Sequence, residues 1–149
     1  MGCLAEGALS AGGKVTGVIP RFLTSKEIVH EGLHRLIVVD NMHERKKEMN
    51  DLADGFVMLP GGFGTMEEFF EVLTWAQLGL HAKPIAILDV EGYFGELIAF
   101  FDTMVARGLL KETHRDMVLI GSKPKELIEM MVNYSAPEIP KWITDSRYV

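Results

Sequence analysis

Two short segments of this sequence hold residues suited to chemistry on a phosphate ester. The first is Pro60-Gly61-Gly62-Phe63-Gly64-Thr65, followed by Met66, Glu67 and Glu68. Glycines let a backbone approach an anion without a Cβ in the way. A helix starting there would present N–H groups that have no partner inside the helix, with the positive end of its dipole behind them. The second segment is Met42-His43-Glu44-Arg45-Lys46-Lys47. Arg45 offers a planar fork for phosphate oxygens, and Lys46 a point charge. A carboxylate such as Glu68 could then stabilise positive charge on a sugar or activate water.

Each feature also has a plainer explanation. The Gly-rich segment could be a tight turn with no ligand, capped at its helix by Thr65. Glu67 and Glu68, in the first turn after Thr65, could simply favour the helix dipole. The basic run could be a solvated face, although Arg and Lys near a helix start oppose the dipole. His43 is a candidate acid/base group that more readily packs or caps. Neither a Gly-Lys-Ser/Thr loop nor a Gly-x-Gly-x-x-Gly fingerprint occurs. His30, His34, His81 and His114 lack metal-ligand spacing, so no metal site is expected. Met130 and Met131 read as core filler, and Phe69, Phe70 and Trp75 as core or dimer contacts.

The elements that must position these residues follow from the apolar pattern. A helix through Ala11, closed by Gly12-Gly13, precedes a strand at 14–19 stopped by Pro20. A polar loop with Thr24, Ser25 and Lys26 leads to a strand at 35–40, whose apolar run predicts cover on both faces. A helix at 42–53 and a strand at 55–59 follow, the Gly-rich turn coming directly after that strand. Helical spacing of Phe69, Val72, Leu73 and Ala76 predicts a helix from Thr65 to about Leu78. Strands at 84–88 and 117–120 alternate with helices at 93–107 and 124–132, the last opened by Ser122 and Pro124. This alternation predicts an α/β fold around a mostly parallel sheet. Both candidate segments lie past the carboxyl ends of strands, where open α/β sheets bind ligands.

The bulk properties narrow the partners. With 149 residues, 48% hydrophobic, the chain suits one domain spanning 1–149. A net charge of -6 argues against non-specific nucleic-acid binding. No apolar run reaches membrane-spanning length, and the N-terminus lacks a secretory pattern, so a cytoplasmic protein without membrane association is expected. Cys3 is the single cysteine, which suits a reducing compartment.

The paired motifs Met42-His43-x-Arg45-Lys46 and Pro60-Gly61-Gly62-x-Gly64-Thr65-x-x-Glu68, with Gly17-Val18-Ile19-Pro20, resemble the LONELY GUY family. These are cytokinin riboside 5'-monophosphate phosphoribohydrolases, long mislabelled as lysine decarboxylases. The resemblance runs over nearly the whole chain. It implies a Rossmann-like three-layer sandwich, a homodimer or larger assembly, and no cofactor. The implied reaction hydrolyses the N-glycosidic bond of an N6-modified AMP to free base and ribose 5-phosphate. By motif match, Arg45 and Glu68 would be the catalytic pair. Glu27, Lys46, Gly61, Gly62, Phe63, Gly64, Thr65, Met66, Glu67 and Thr74 would hold the substrate. Because the chain opens on a helix, a first strand and Gly-rich loop of the family pattern are expected to be missing. A non-catalytic nucleotide- or molybdopterin-binding carrier of the same fold is the alternative. Lysine decarboxylation is a further rival, but it needs a Schiff-base lysine that no segment here suggests.

Overall fold

The computed structural model describes residues 1–24, 30 and 32–138. The architecture is α/β and Rossmann-like in kind: every strand pairing among the described residues is parallel. The chain forms two compact units, Met1–Ala53 and Asp54–Val149.

In the first unit, helix α1 (Gly2–Ser10) ends in a glycine cap. Gly12 takes φ +77°, its N–H reaches Leu9 O, and Gly13 N–H reaches Ala8 O at 2.8 Å. Those two bonds satisfy carbonyls that the helix would otherwise leave open, the Schellman arrangement. Strand β1 (Thr16–Pro20) pairs with β2 (Arg35–Val39) in register from Thr16 with Arg35 to Pro20 with Val39. Pro20 ends β1 as its last residue rather than lying beyond it. Helix α2 (Met42–Leu52) packs on both strands. The expectation that β2 is covered on both faces fails. Leu36 and Val38, on one face of its pleat, are 43% and 42% exposed. An apolar run reports affinity for cover, not its presence.

In the second unit, β3 (Phe56–Met58), β4 (Ile85–Leu88) and β5 (Val118–Gly121) form a sheet in that order. Central β4 is buried over Ile85, Ala86 and Ile87, as a strand sandwiched between layers should be. Helix α3 (Phe63–Gln77) follows β3, and α4 (Gly95–Ala106) follows β4. The short α5 (Glu112–Arg115) precedes β5, and α6 (Pro124–Val132) closes the described structure.

The core of this unit gathers Met58, Phe69, Ala76, Ile85, Ile87, Phe94, Phe101, Met117 and Val118. Burying a side chain such as Phe94, 1% exposed, contributes about 2–3 kcal/mol. Phe69 stacks on Phe101, while Arg115 lies over the Phe101 ring and bonds Asp102 through Nε at 2.8 Å. These contacts join α3, α4 and α5. Of the two methionines on α6, only Met131 fills space, its methyl lying over Gly55. Met130 is 42% exposed, so it is not core filler. Leu127, 1% exposed, anchors the helix instead.

Candidate active site

The turn after β3 is built from the bottom by its glycines. Gly61 lies against the Thr65 side chain so closely that a Cβ on residue 61 would collide with the hydroxyl. Gly62 is the N-cap of α3, with extended φ -99° and ψ -150° and no side-chain cap. Its carbonyl accepts from Met66 N–H at 3.2 Å, which closes the first helical turn. The N–H groups of Phe63, Gly64 and Thr65 therefore fall where a helix offers no internal acceptor. The dipole adds about half a positive charge at the same place. Phe63 is 96% exposed, and a Cβ on Gly62 or Gly64 would meet open space.

The helix starts at Phe63, two residues before the expected start, and Thr65 is its third residue rather than its cap. Its hydroxyl serves packing against Gly61. This shift moves Glu67 and Glu68 into the second turn. Stabilisation by the dipole fades beyond the first turn, so it no longer accounts for them. Glu67 is exposed, whereas Glu68 is half-buried. Gly64, Glu68, Glu71 and Trp75 recur at helical spacing, which sets them along one flank of α3. Met66 packs against the core. Thr74 is exposed, and its hydroxyl donates to Phe70 O at 2.6 Å.

A residue that sequence reasoning missed completes this turn. The Tyr93 hydroxyl donates to Gly61 O at 2.9 Å. Tyr93 comes from the loop after β4, which lies beside β3 in the sheet.

The start of α2 is made differently. Asn41 caps it by accepting from Glu44 N–H at 2.9 Å, and the Asn41 amide donates to Glu44 Oε1 at 2.8 Å. Glu44 Oε2 accepts from Asp40 N–H at 2.9 Å. This reciprocal cap, a variant of the capping box in which Glu44 takes the N–H of the residue before the cap, assigns Glu44 a structural role. His43 neither packs nor caps, being exposed with the cap position taken by Asn41. The basic run divides. Lys47 is exposed and sits 3.6 Å from Asp51 one turn on, a solvated pair. Arg45 and Lys46 are half-buried.

The structure thus groups the predicted residues in two sets. Gly61 to Glu68 and Thr74 share the second unit; Arg45 and Lys46 share one helix of the first. Glu27 lies outside the described residues.

The family model described as "possible lysine decarboxylase" matches residues 1–131. The chain belongs to that family, the LONELY GUY family. A probable cytokinin riboside 5'-monophosphate phosphoribohydrolase of Oryza sativa subsp. japonica is 40% identical over 148 residues, covering 99% of this chain and 60% of the relative. Two cytokinin riboside 5'-monophosphate phosphoribohydrolases of Arabidopsis thaliana are 42% and 44% identical over 134 residues. Each alignment covers 90% of this chain, and 63% and 59% of the respective relative. The chain therefore spans about three fifths of the length of the curated relatives it matches. Within this LONELY GUY chain, both signature segments fall inside the matched residues.

Proposed function

We propose that this protein is a phosphoribohydrolase, cleaving the N-glycosidic bond of an N6-modified adenosine 5'-monophosphate to free base and ribose 5-phosphate. The observation that carries the reading is the β3–α3 junction. A 15-residue helix begins at the carboxyl end of a parallel strand on a glycine N-cap that has no side chain to take its first donors. Anions bind such helix starts through backbone N–H groups. The similarity to cytokinin riboside 5'-monophosphate phosphoribohydrolases supports the substrate class.

In this reading the monoester phosphate rests on the N–H groups of Gly62 to Thr65. Phe63 flanks the nucleotide, with Met66, Glu67 and Thr74 forming the surroundings along α3. Arg45, Lys46 and Glu27 are assigned to the nucleotide by their match to the family's motifs. Rupture of the ribosyl C–N bond builds positive charge on the sugar. Glu68 stabilises that charge or activates the incoming water. Arg45 holds the nucleotide and eases departure of the base. Phosphate binding remote from the reacting bond orients it for attack. Water supplies the hydroxyl to the anomeric carbon, and the base leaves with a proton.

A homodimer or larger assembly and a cytoplasmic setting go with this reading. Exposed Phe70 and Phe100, 39% and 57%, are aromatic surface that a second copy would cover.

Incubating the protein with AMP and with an N6-modified AMP, then separating the products by chromatography, tests the activity. Equal amounts of free base and ribose 5-phosphate are expected. Nucleotide binding without any base release would instead favour the non-catalytic carrier. The family description keeps lysine decarboxylation as a comparison. That chemistry would require an internal aldimine, visible as an absorbance band after incubation with pyridoxal phosphate, and none is expected.

A further inference from the structure

We propose that Tyr93 is a positioning residue for the phosphate-binding turn, acting through the peptide that joins Gly61 to Gly62. The inference rests on the functional reading above and adds a residue to it. Tyr93 O–H donates to Gly61 O at 2.9 Å from a residue 32 positions along the chain. A trans peptide is planar, with its C=O and N–H pointing opposite ways. Fixing Gly61 O toward Tyr93 therefore fixes Gly62 N–H on the opposite side of the peptide.

This peptide needs fixing because both its residues are glycines. Without Cβ atoms on either side, the plane turns over at little cost. A turned peptide would present a carbonyl oxygen, instead of an N–H, to a phosphate dianion. Thr65 packs against the Gly61 Cα, whereas the hydrogen bond on the carbonyl comes from Tyr93.

The loop that carries Tyr93 is itself held in place. Phe94 is 1% exposed, and its N–H donates to Asp89 Oδ1 at 2.8 Å. Tyr93 N–H reaches Val90 O at 3.1 Å, and Asp89 N–H reaches Gly121 O at 2.9 Å. Glu91, at φ +53°, is the single non-glycine with positive φ among the described residues, and Gly92 follows at φ +74°. A side chain held in that region costs free energy that the surroundings must offset, and such residues gather at functional sites. Here the consequence is a tyrosine ring edge-on to Phe94 at 4.9 Å, 58% exposed, whose hydroxyl ends at the turn.

The test is Tyr93→Phe in the full chain, which keeps the ring on Phe94 and deletes one donor. Competition against a turning-over nucleotide gives inhibition constants for AMP and for inorganic phosphate. Both are expected to rise by the same factor, about three- to ten-fold, the usual range for one hydrogen bond. KM for the nucleotide should rise in step, with kcat at saturation within about two-fold and the thermal midpoint unmoved. Constants equal to those of the parent protein would overturn the role of Tyr93 while leaving the turn as the phosphate site. A rise for AMP without one for phosphate would also overturn it, assigning the hydroxyl to the nucleoside. Failure of the parent protein to bind either ligand would bring down the functional reading and this inference together.

Discussion

At both the β2–α2 and β3–α3 junctions the chain leaves the carboxyl end of a parallel strand and enters a helix within a few residues. Both cap residues have extended backbones, Asn41 at φ -146° and Gly62 at φ -99°. Their side chains make the difference. Asn41 and Glu44 close the start of α2 with three short bonds, whereas Gly62 brings nothing to α3. The acids differ in the same sense. Glu44, third in its helix, is held by the cap; Glu68, sixth in its helix, lies beyond capping reach. One junction completes itself, and the other leaves its donors for something from outside. A Gly-rich strand-to-helix turn is thus better judged by what caps its helix than by its glycines.

The largest effect expected from this contrast is on rate. Glu68→Gln should lower turnover by about 10²–10⁴-fold while AMP affinity stays within about three-fold. Product formation under saturating nucleotide, alongside calorimetric AMP binding, measures both. Equal loss of the two would make Glu68 structural, like Glu44. Next in size is a graft of the first junction's logic onto the second. Gly62→Asp meets open space and needs no change of backbone. It should stabilise α3 by a few tenths of a kcal/mol, since Asp caps better than Gly. It should also weaken AMP binding by more than about ten-fold, because the new carboxylate takes the donors and repels the phosphate. Unchanged AMP affinity in this variant would remove the α3 start from the site.

Much of this is legible in the sequence itself. The helix over 124–132 and the strand beneath the Gly-rich turn follow from period and punctuation. The start of α3 was not, because Phe63 and Gly64 are poor helix formers and hide its first turn from a propensity reading. Thr65 therefore looked like a cap, and the two acids looked one turn too early. Tyr93 had no signal at all. Its meaning depends on β4 lying next to β3, which no local pattern states. The capping box at Asn41 and Glu44 was readable in principle, since an Asn followed three residues later by a Glu is its signature.

Breaking the completed junction gives a smaller effect and of another kind. Asn41→Ala removes the acceptor for Glu44 N–H and should cost about 1 kcal/mol of stability. For a chain of this size that lowers the thermal midpoint by about 2–4 °C. AMP affinity at the α3 turn, measured well below the midpoint, should stay within about two-fold. The pair Asn41→Ala and Gly62→Asp thus predicts opposite signs: one variant loses stability and keeps the ligand, the other keeps stability and loses it.

The smallest effect separates stability from binding by acid. His81 precedes β4, at the end of that strand opposite the turn. Its Nδ1 accepts from Lys83 N–H at 3.2 Å, which leaves Nε2 to donate to Val72 O at 2.9 Å. Burial pushes the His81 pKa below the ordinary imidazole value of 6.5; the Val72 carbonyl opposes that shift and Lys83 adds to it. Burial and then Lys111 lower His114 as well. A folded pKa below the unfolded one means the unfolded chain takes up protons first as pH falls. The stability is fully present above pH 6.5 and is lost as pH drops through the lowered values. Protonation would also set Nδ1–H against Lys83 N–H, donor facing donor. Denaturant melts from about pH 7.5 to 5.5 should show a falling midpoint, flatter in His81→Gln, whose amide can still donate to Val72. An acid limb as steep in His81→Gln as in the parent would show that the imidazole is not its source.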